Sequence, residues 1–356
     1  MTPRVSVVIP AYNAARWLAA AVESCLTQSF QALEIIIVDD GSNDATKSLV
    51  AQWGAPVRVV HMEHRGSSAA RNVGTALARG EFIQYLDADD YLLPDKIGRQ
   101  IGCLECSGAE VAYGDWRYRF EFPGGWHLWS PIVHPGQLQD PLSACIRNWW
   151  AGLGAFLFQR QAVLRAGGWD EEVDVLNDRD LCLRLAAGGA RFVYRSGCGF
   201  VYRRYGYDTL STRHMICKER RRSFLAAHVA ILEKLEAALV SSEKSASAVD
   251  AGLQFRPAVR QALVDMYVSI AAAFRPLDSG EYDKLRAKAH ALSLVPVPAE
   301  GRCKRLISRM LGDQGAAVVA QRQWEVQRAL RLVLHWVGLA MVADWVEAGL
   351  GRRSTL

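Results

Sequence analysis

The first ninety residues alternate between short apolar runs and segments with helical spacing, and this order restricts the fold more than any other feature. The apolar runs begin at Val5, Leu33, Val57 and Glu81. A strand–helix order repeated in this way predicts an α/β, Rossmann-like domain with a mostly parallel sheet and helices on both faces. Ligands of such sheets bind beyond the carboxyl ends of the strands. We therefore expect the functional residues of this half along one edge of the sheet.

Local signals place several helix ends. Ser42 or Asn43 is the expected N-cap of the second helix, because short polar side chains accept the first backbone N–H groups of a helix. The segment "SSAARNVGTALARG" predicts a third helix that closes on Gly80. Residues 110–165 are irregular and rich in tryptophan, and "NDRDLCLRLAAGG" then predicts a helix that begins near Asp178.

The strands predicted in the first half all end in polar residues. The fourth ends in "YLDADD", so Asp87, Asp89 and Asp90 follow a buried strand directly. Like charges at contact distance disfavour one another's ionisation. Mg²⁺ or Mn²⁺ would relieve this conflict, since these cations take one or two carboxylates plus phosphates. A solvated loop after the strand is the alternative.

A second acidic pair and one arginine belong to the same predicted edge. Asp39 and Asp40 end the second strand, where a carboxylate can accept hydrogen bonds from a ribose hydroxyl or a base N–H group. The alternative is a turn and helix cap, in which Asp40 would take part. Arg71 lies in the first turns of the third helix and could face a diphosphate or a base carbonyl. It could equally lie on the surface.

Together and in this order, "VSVVIPAYN", "IIIVDDGSNDAT" and "AARNVGTALARGEFIQYLDADD" resemble the nucleotide-sugar-binding half of family 2 glycosyltransferases, which have the GT-A fold. The segment "GGWDEEV", followed by "NDRDLCLRL", is similar to the acceptor-side segment of that family. The resemblance covers about residues 4–212. It implies a GT-A catalytic domain over residues 1–212, with a nucleotide-sugar half at 1–110 and an acceptor half at 111–212.

The resemblance also implies roles for individual residues. The expected reaction is inverting transfer of a sugar from a nucleoside-diphosphate donor, most commonly a UDP-sugar in this family, to an acceptor hydroxyl. Asp178 would be the general base, with Asp180 as the fallback, and Asp89 would ligate Mg²⁺ or Mn²⁺ on the diphosphate. On the acceptor side we expect Trp149, Trp150 and Asn177, the two tryptophans either as a sugar platform or as core packing. The donor-binding residues that the resemblance implies are Pro10, Ala11, Tyr12, Asn13, Asp39, Asp40, Arg71, Asp87, Ala88 and Arg203.

Two positions depart from the family's pattern. Asn177 stands where the family commonly has a glutamate, and Tyr205 stands where it often has a histidine near the metal. An aromatic hydroxyl is a poor ligand for Mg²⁺, so either metal affinity is lower or Arg203 and Arg204 supply positive charge to the diphosphate. These departures keep open a non-catalytic sugar-nucleotide-binding or scaffold protein.

Two other enzyme classes would need a characteristic motif directly after the first strand. A nucleotidyltransferase would need a glycine-rich loop with arginine and lysine there, and a dehydrogenase would need G-x-G-x-x-G. The segment "PAYNAARWL" has neither pattern. The sequence therefore favours a glycosyltransferase, with a nucleotidyltransferase as the less favoured enzyme.

Charge divides the chain into two parts. Residues 1–212 carry 20 Lys and Arg against 23 Asp and Glu, whereas residues 213–356 carry 22 against 14. The second part is expected to be a helical C-terminal region that packs on the catalytic domain. Alternatively its basic segments contact a membrane surface peripherally, which would suit a lipid-linked or surface-glycan acceptor. The run Leu332–Ala343 is too short to span a bilayer, and no motif favours nucleic-acid binding.

The cysteines and the N-terminus bear on the compartment. Of the eight cysteines only Cys103 and Cys106 form a C-x-x-C, so reduced thiols are favoured over a zinc site. The strand-like run that begins at Val5 leaves no room for a signal peptide. We therefore expect a cytoplasmic protein, either free or peripheral at the inner face of the membrane.

Overall fold

The computed structural model describes residues 2–121, 127–205, 218–245 and 256–293. Its first half alternates strands and helices. The elements are β1 (Val5–Ala11), α1 (Leu18–Leu26), β2 (Leu33–Asp40), α2 (Thr46–Val50), β3 (Val57–Met62), α3 (Ser67–Leu77) and β4 (Phe82–Tyr85). β1 pairs in parallel with both β2 and β4, and β2 pairs in parallel with β3. The predicted parallel order is confirmed for this half.

The two central strands are continuous apolar runs that are buried along nearly their whole length. Runs of this kind are typical of parallel strands that are covered on both faces. α3 packs directly on β1, where a Cβ atom at Gly74 would lie 2.3 Å from Cγ1 of Val8. Glycine therefore allows the close approach of helix and strand at this point.

The second half continues the same sheet with mixed strand directions. Its elements are β5 (Tyr91–Leu92), α4 (Lys96–Ser107), β6 (Val111–Glu121), β7 (His127–Trp129), α5 (Pro141–Ile146), a 3₁₀ turn (Leu153–Ala155), β8 (Phe156–Gln159), α6 (Arg160–Arg165), α7 (Asn177–Ala187) and β9 (Phe192–Tyr205). Across the described residues the strand order is β3-β2-β1-β4-β8-β6-β9-β5, and β7 pairs with β6. β8 runs antiparallel to β4 and β6, whereas β9 runs parallel to β6.

The region predicted to be helical supplies three helices in its described part, α8 (Lys218–Ser245), α9 (Pro257–Phe274) and α10 (Ser279–Leu292). α9 packs on α5 and α10, and α8 packs on α7 and α9. Arg147, just after α5, forms an ion pair with Asp265 of α9 at 3.1 Å. Arg179 of α7 is buried, contacts His228 of α8, and donates to the carbonyl of Ile146 at 2.9 Å. These helices therefore support the part of the sheet domain that carries Asp178.

The sequence predicts no segment that spans a membrane and predicts reduced cysteines. No helix in the described ranges combines the length and apolar character needed to cross a bilayer. The run Leu332–Ala343 and the basic segment Arg302–Arg309 lie outside the described residues. Cys103 and Cys106 lie on α4, and each described cysteine is a free thiol.

The N-cap predicted for the second helix is wrong. α2 begins at Thr46, and the residue before it, Ala45, has no capping side chain. The Ser42 hydroxyl instead accepts the backbone N–H of Asn13 at 3.0 Å, and the N–H of Asn43 donates to the Asn13 side chain at 2.9 Å. These bonds join the loop after β1 to the loop after β2, so the polar side chains expected at the cap are used between loops.

The other two helix-end predictions had different outcomes. α3 ends at Leu77 and does not close on Gly80. Gly80 lies against β1, where a Cβ atom would come within 2.6 Å of the backbone nitrogen of Ser6. The helix predicted to begin near Asp178 is confirmed, since α7 begins at Asn177.

Candidate active site

The acidic loop after β4 lies between the two halves of the sheet. Asp87 accepts a hydrogen bond from Nη2 of Arg71, on α3, at 2.7 Å. Asp89 accepts one from the hydroxyl of Tyr205, at the end of β9, at 3.0 Å. The loop is therefore held from both sides, and the residue that replaces the family's histidine contacts the predicted metal ligand directly.

The negative charges of this loop still disfavour ionisation of Asp89 and Asp90. Burial raises the pKa of Asp89, and the charge of Asp87 raises it further. The pKa of Asp90 is raised well above its ordinary value, first by burial and then by the charges of Asp89 and Asp87. The backbone N–H of Arg203 donates to Asp90 at 2.7 Å and offsets part of this effect. The loop is a place where additional positive charge would be stabilising.

The loop residues fit a hard divalent cation. Mg²⁺ and Mn²⁺ favour oxygen ligands and are commonly held by one or two carboxylates together with phosphate oxygens. Asp89, with Asp87 beside it, offers that donor set. Within the described ranges, no group of three or more His, Cys, Asp or Glu side chains forms a ready-made metal cluster. The arrangement therefore fits a cation shared between Asp89 and the phosphates of a ligand.

Aromatic and cationic side chains form one wall beside the acidic loop. The Trp17 ring lies 4.8 Å from the Tyr205 ring, measured between centroids. The guanidinium carbon atoms of Arg16 and Arg203 lie 4.0 and 4.6 Å from the centroid of Trp17. Arg203 is buried and also forms an ion pair with Glu121 at 3.1 Å. Positive charge thus lies next to the carboxylates, although part of it is already neutralised.

Asp39 is fully buried at the end of β2. One of its oxygens accepts the backbone N–H of Ser42 at 3.0 Å, and the other bonds to Nδ1 of His61 at 2.8 Å. Burial raises the pKa of Asp39, but the hydrogen bonds from Ser42 and His61 outweigh burial and leave the pKa below its ordinary value. Asp39 is therefore a carboxylate near neutral pH. Sequence reasoning gave His61 no role.

Asp40 holds the loop that leads into α3. Its carboxylate accepts the backbone N–H groups of Arg65 at 2.8 Å and Gly66 at 2.9 Å. His64 Nδ1 lies 2.9 Å from the same carboxylate. The His64 ring stacks on Tyr12 with centroids 4.1 Å apart, and Tyr12 is 46% exposed. Asp40 acts on the loop, and the Tyr12–His64 pair offers an open aromatic face that the sequence did not predict.

The remaining residues predicted to bind the donor lie at the same strand ends. Pro10 and Ala11 close β1, and Ala11 pairs in register with Asp39 of β2. Asn13 follows β1 and is exposed. Ala88 is buried within the acidic loop. The structure therefore brings the predicted donor-side residues to the carboxyl edge of the parallel strands.

Asp178, the predicted base, is partly buried in the first turn of α7. Its Oδ2 accepts Nε1–H of Trp150 at 2.6 Å, and its Oδ1 accepts the backbone N–H of Arg179 at 2.8 Å. Burial raises the pKa of Asp178, and these hydrogen bonds oppose burial only in part. The charge of Arg71 also lowers this pKa, and the charge of Asp87 raises it. A carboxylate with a raised pKa suits general base catalysis.

Asn177 connects the helix of the predicted base to the donor half. Its side-chain amide donates to the hydroxyls of Ser67 at 3.3 Å and Ser68 at 3.2 Å, at the start of α3. The Ser67 hydroxyl also accepts Nη1–H of Arg71 at 3.2 Å. The amide that replaces the family's glutamate therefore joins the beginnings of α3 and α7.

The fallback base, Asp180, is occupied within its own helix. It is buried, and its Oδ2 accepts Nε–H and Nη2–H of Arg184 at 2.9 and 2.6 Å. A carboxylate held by a two-point ion pair with arginine is engaged by that side chain and is not free to contact an acceptor hydroxyl. The geometry favours Asp178 over Asp180.

The tryptophans of the acceptor half have different surroundings. Trp149 packs edge-on against Tyr113, with centroids 5.0 Å apart, and against Phe156 at 6.1 Å. These contacts favour core packing for Trp149. Trp169 is also buried, and the guanidinium carbon of Arg71 lies 4.5 Å from its ring centroid.

Backbone strain is concentrated beside the predicted site residues. In the part of the chain that the structure describes, the non-glycine residues with positive φ are Asn13 at 50°, Asn148 at 62° and Leu176 at 64°. They adjoin Tyr12, the Trp149–Trp150 pair and Asn177. A bulky residue such as leucine rarely adopts this conformation, and such strain persists where the surroundings enforce it. Asparagine adopts this conformation readily, so the strain is at Leu176 and supports the loop before α7 as a functional segment.

The chain is similar to known proteins in sequence and in fold. Residues 6–163 match the model of the family described as Glycosyl transferase family 2. The succinoglycan biosynthesis protein ExoO of Rhizobium meliloti (strain 1021) is 42% identical over 112 residues, which are 31% of this chain and 32% of that protein. Glycosyltransferase GlyG of Streptococcus pneumoniae serotype 4 is 34% identical over 165 residues, 44% of this chain and 55% of that protein. The chain thus spans about a third to about half of the length of these relatives.

Two solved structures share the fold at low sequence identity. TarS residues 1–349 from S. aureus, in complex with UDP-GlcNAc, has a TM-score of 0.50 and 18% identity, covering 82% of this chain and 92% of that one. The mannosyltransferase PcManGT from Pyrobaculum calidifontis, in complex with GDP-Man and Mn²⁺, has a TM-score of 0.51 and 20% identity, covering 98% of this chain and 87% of that one. Over residues 6–163 this chain is therefore similar to glycosyl transferase family 2, and its fold is of the GT-A type.

Proposed function

We propose that this protein is an inverting glycosyltransferase that moves a sugar from a nucleoside-diphosphate donor, with a UDP-sugar as the first candidate, to an acceptor hydroxyl. The observation that carries the proposal is a chain of contacts between the two sides of the site. Asn177, next to Asp178, donates to Ser67, which also accepts from Arg71, and Arg71 donates to Asp87. The relative named for succinoglycan biosynthesis supports a glycan or lipid-linked acceptor in surface polysaccharide or glycan assembly.

The donor would bind along the edge of the parallel strands. Asp39, held as a carboxylate by Ser42 and His61, can accept hydrogen bonds from the N–H groups of a base. The exposed ring of Tyr12 offers a stacking face beside it. Arg71, already beside Asp87, adds a fixed positive charge where the diphosphate would lie.

Asp89 would hold the divalent cation, with Asp87 next to it. Mg²⁺ or Mn²⁺ supplies neutralisation of the charge that develops on the leaving diphosphate. The solved complex of PcManGT with GDP-Man and Mn²⁺ is consistent with this assignment. In this chain the Tyr205 hydroxyl donates to Asp89 and would hold that carboxylate in place beside the cation.

Asp178 would remove the proton from the acceptor hydroxyl as that oxygen attacks the anomeric carbon. The bond from the anomeric carbon to the diphosphate oxygen breaks on the opposite face, so the configuration inverts and no covalent enzyme intermediate forms. The proton passes to the Asp178 carboxylate, and the bonding electrons leave with the diphosphate. Its raised pKa makes Asp178 a stronger proton acceptor than an exposed aspartate.

The test combines donor binding with turnover. A panel of UDP- and GDP-sugars with MnCl₂ is screened for thermal stabilisation, because a ligand that binds only the folded state raises apparent stability. Asp178→Asn should keep the stabilisation and lose release of nucleoside diphosphate. In the wild type, turnover should fall as pH falls through the raised pKa of Asp178, since the base must be ionised. Donor binding without turnover in the wild type would favour a non-catalytic sugar-nucleotide-binding protein.

A further inference from the structure

We propose that Trp150 is a positioning residue that fixes the Asp178 carboxylate through its indole N–H group. This inference rests on the proposed function, in which Asp178 is the base. The Trp150 Nε1–H donates to Asp178 Oδ2 at 2.6 Å, across 28 positions of sequence. Trp150 would then act on the reaction through Asp178, whether or not its ring also contacts an acceptor sugar.

The indole of Trp150 packs against side chains of two neighbouring strands, β6 and β9. Its ring packs edge-on against Trp116 of β6, with centroids 5.6 Å apart, and against Tyr202 of β9 at 6.1 Å. Trp116 is almost fully buried. The turn that presents Trp150 includes Asn148 in the left-handed conformation, at φ 62°. A donor held by β6, β9 and a constrained turn has little freedom to leave the carboxylate.

The two oxygens of Asp178 are anchored by donors of different origin. Oδ1 receives the backbone N–H of Arg179, which belongs to the same helix. Oδ2 receives Trp150, which comes from a different segment, so Trp150 sets the rotation of the carboxylate relative to the acceptor side. A hydrogen bond to the ionised form also favours ionisation, and it opposes the burial that raises the pKa of Asp178.

Trp116 provides a matched control. It touches the ring of Trp150, yet its own Nε1 has no hydrogen-bond partner among the described residues. Trp116→Phe and Trp150→Phe therefore both remove one indole N–H and leave an aromatic ring. Only Trp150→Phe removes a donor to Asp178.

The direct test uses NMR of the full chain and needs no substrate. In protein labelled with ¹³Cγ-aspartate, the Asp178 resonance is the one that Asp178→Asn removes. Trp150→Phe should raise its titration midpoint by about one pH unit, because about 1.4 kcal/mol of stabilisation of the ionised form is lost. Trp116→Phe keeps the Trp150 donor and an aromatic ring beside it, so it should move that midpoint much less than Trp150→Phe does. An equal midpoint in Trp150→Phe and wild type would overturn the proposal.

A second measurement covers the case in which Trp150→Phe fails to fold. In wild-type protein labelled with ¹⁵N-tryptophan, one indole N–H resonance should titrate with the Asp178 midpoint, and that titration should disappear in Asp178→Asn. If no indole resonance responds to Asp178→Asn, the hydrogen bond is absent and the proposal fails. These results do not depend on turnover, so they separate this inference from the proposed function.

Kinetics then test the positioning role with a donor identified in the screen. Trp150→Phe should lower kcat about tenfold and leave donor affinity unchanged. The acidic limb of the pH profile of kcat should move to higher pH by about one unit. A loss of donor affinity with an unshifted pH profile would contradict a role through Asp178.

Discussion

Asp89→Asn should change stability in opposite directions with and without ligand. In the metal-free protein, burial and Asp87 raise the pKa of Asp89 above its unfolded value. The folded state then binds more protons than the unfolded chain between these two pKa values, so the free energy of unfolding falls as pH rises through that interval. Above the folded-state pKa this penalty is fully present. Replacing the carboxylate by an amide should therefore stabilise the metal-free protein.

With ligand the same substitution should be unfavourable. UDP with Mn²⁺ at about 100 times its Kd stabilises a folded protein by about 2.7 kcal/mol. An unfolding entropy of about 2.1 cal/mol/K per residue converts this to a Tm increase of about 3 to 4 °C for a chain of 356 residues. If loss of the Asp89 carboxylate weakens the binding of UDP with Mn²⁺ about 100-fold, the same concentration stabilises the variant by only about 0.4 kcal/mol. This corresponds to a Tm increase of less than about 1 °C.

The assay is differential scanning calorimetry with and without MnCl₂ and UDP. Asp90→Asn is the matched control, since it also removes a buried charge from the loop. Its carboxylate accepts the backbone N–H of Arg203, a role that an amide oxygen can keep, and it is not a predicted ligand. Asp90→Asn should raise metal-free stability and retain the ligand-induced shift. An undiminished shift in Asp89→Asn would refute the assignment of Asp89 as the metal ligand.

Two further predictions concern packing and the metal. Gly74→Ala should lower the free energy of unfolding by about 1 to 3 kcal/mol because the new Cβ would overlap Val8, whereas Gly102→Ala in α4 meets nothing within 4 Å and should stabilise the helix by up to about 1 kcal/mol; denaturant titrations that give equal values for the two variants would contradict the helix–strand contact. Tyr205→His should lower, several-fold, the Mn²⁺ concentration that gives half-maximal stabilisation with UDP, since imidazole is a better metal ligand than a phenol; an unchanged concentration would show that the Tyr205 position does not influence the metal.

Much of the donor half could be predicted because its signals are local. Apolar runs without alternation predict buried parallel strands, and the topology of such a sheet then places Asp39 and Asp89 along one edge. The start of α7 at Asn177 also follows from a local pattern. These features depend on side chains within one element and on a general rule of chain connection.

The contacts missed by the sequence depend on register and on distant segments. His61 meets Asp39 because these residues are directly paired between β2 and β3, and no local pattern sets that register. The cap expected at Ser42 fails because its hydroxyl is bonded to Asn13, 29 positions away. The bond from Trp150 to Asp178 crosses an irregular segment. In each case a tertiary partner competes successfully with the local alternative.

The packing of α8 and α9 restricts the exchange of the C-terminal helices between this protein and a relative. Arg179, the neighbour of Asp178, is buried by residues of α5 and α8, and Arg147 is paired with α9. A chimera joined at residue 212 would bring in foreign helices beside these two arginines. The buried Arg179 and the partly exposed Arg147 would then lose the residues that they contact. Exchange of the helical segment would succeed only if the incoming helices kept a histidine at position 228 and an aspartate at position 265, where they contact Arg179 and Arg147.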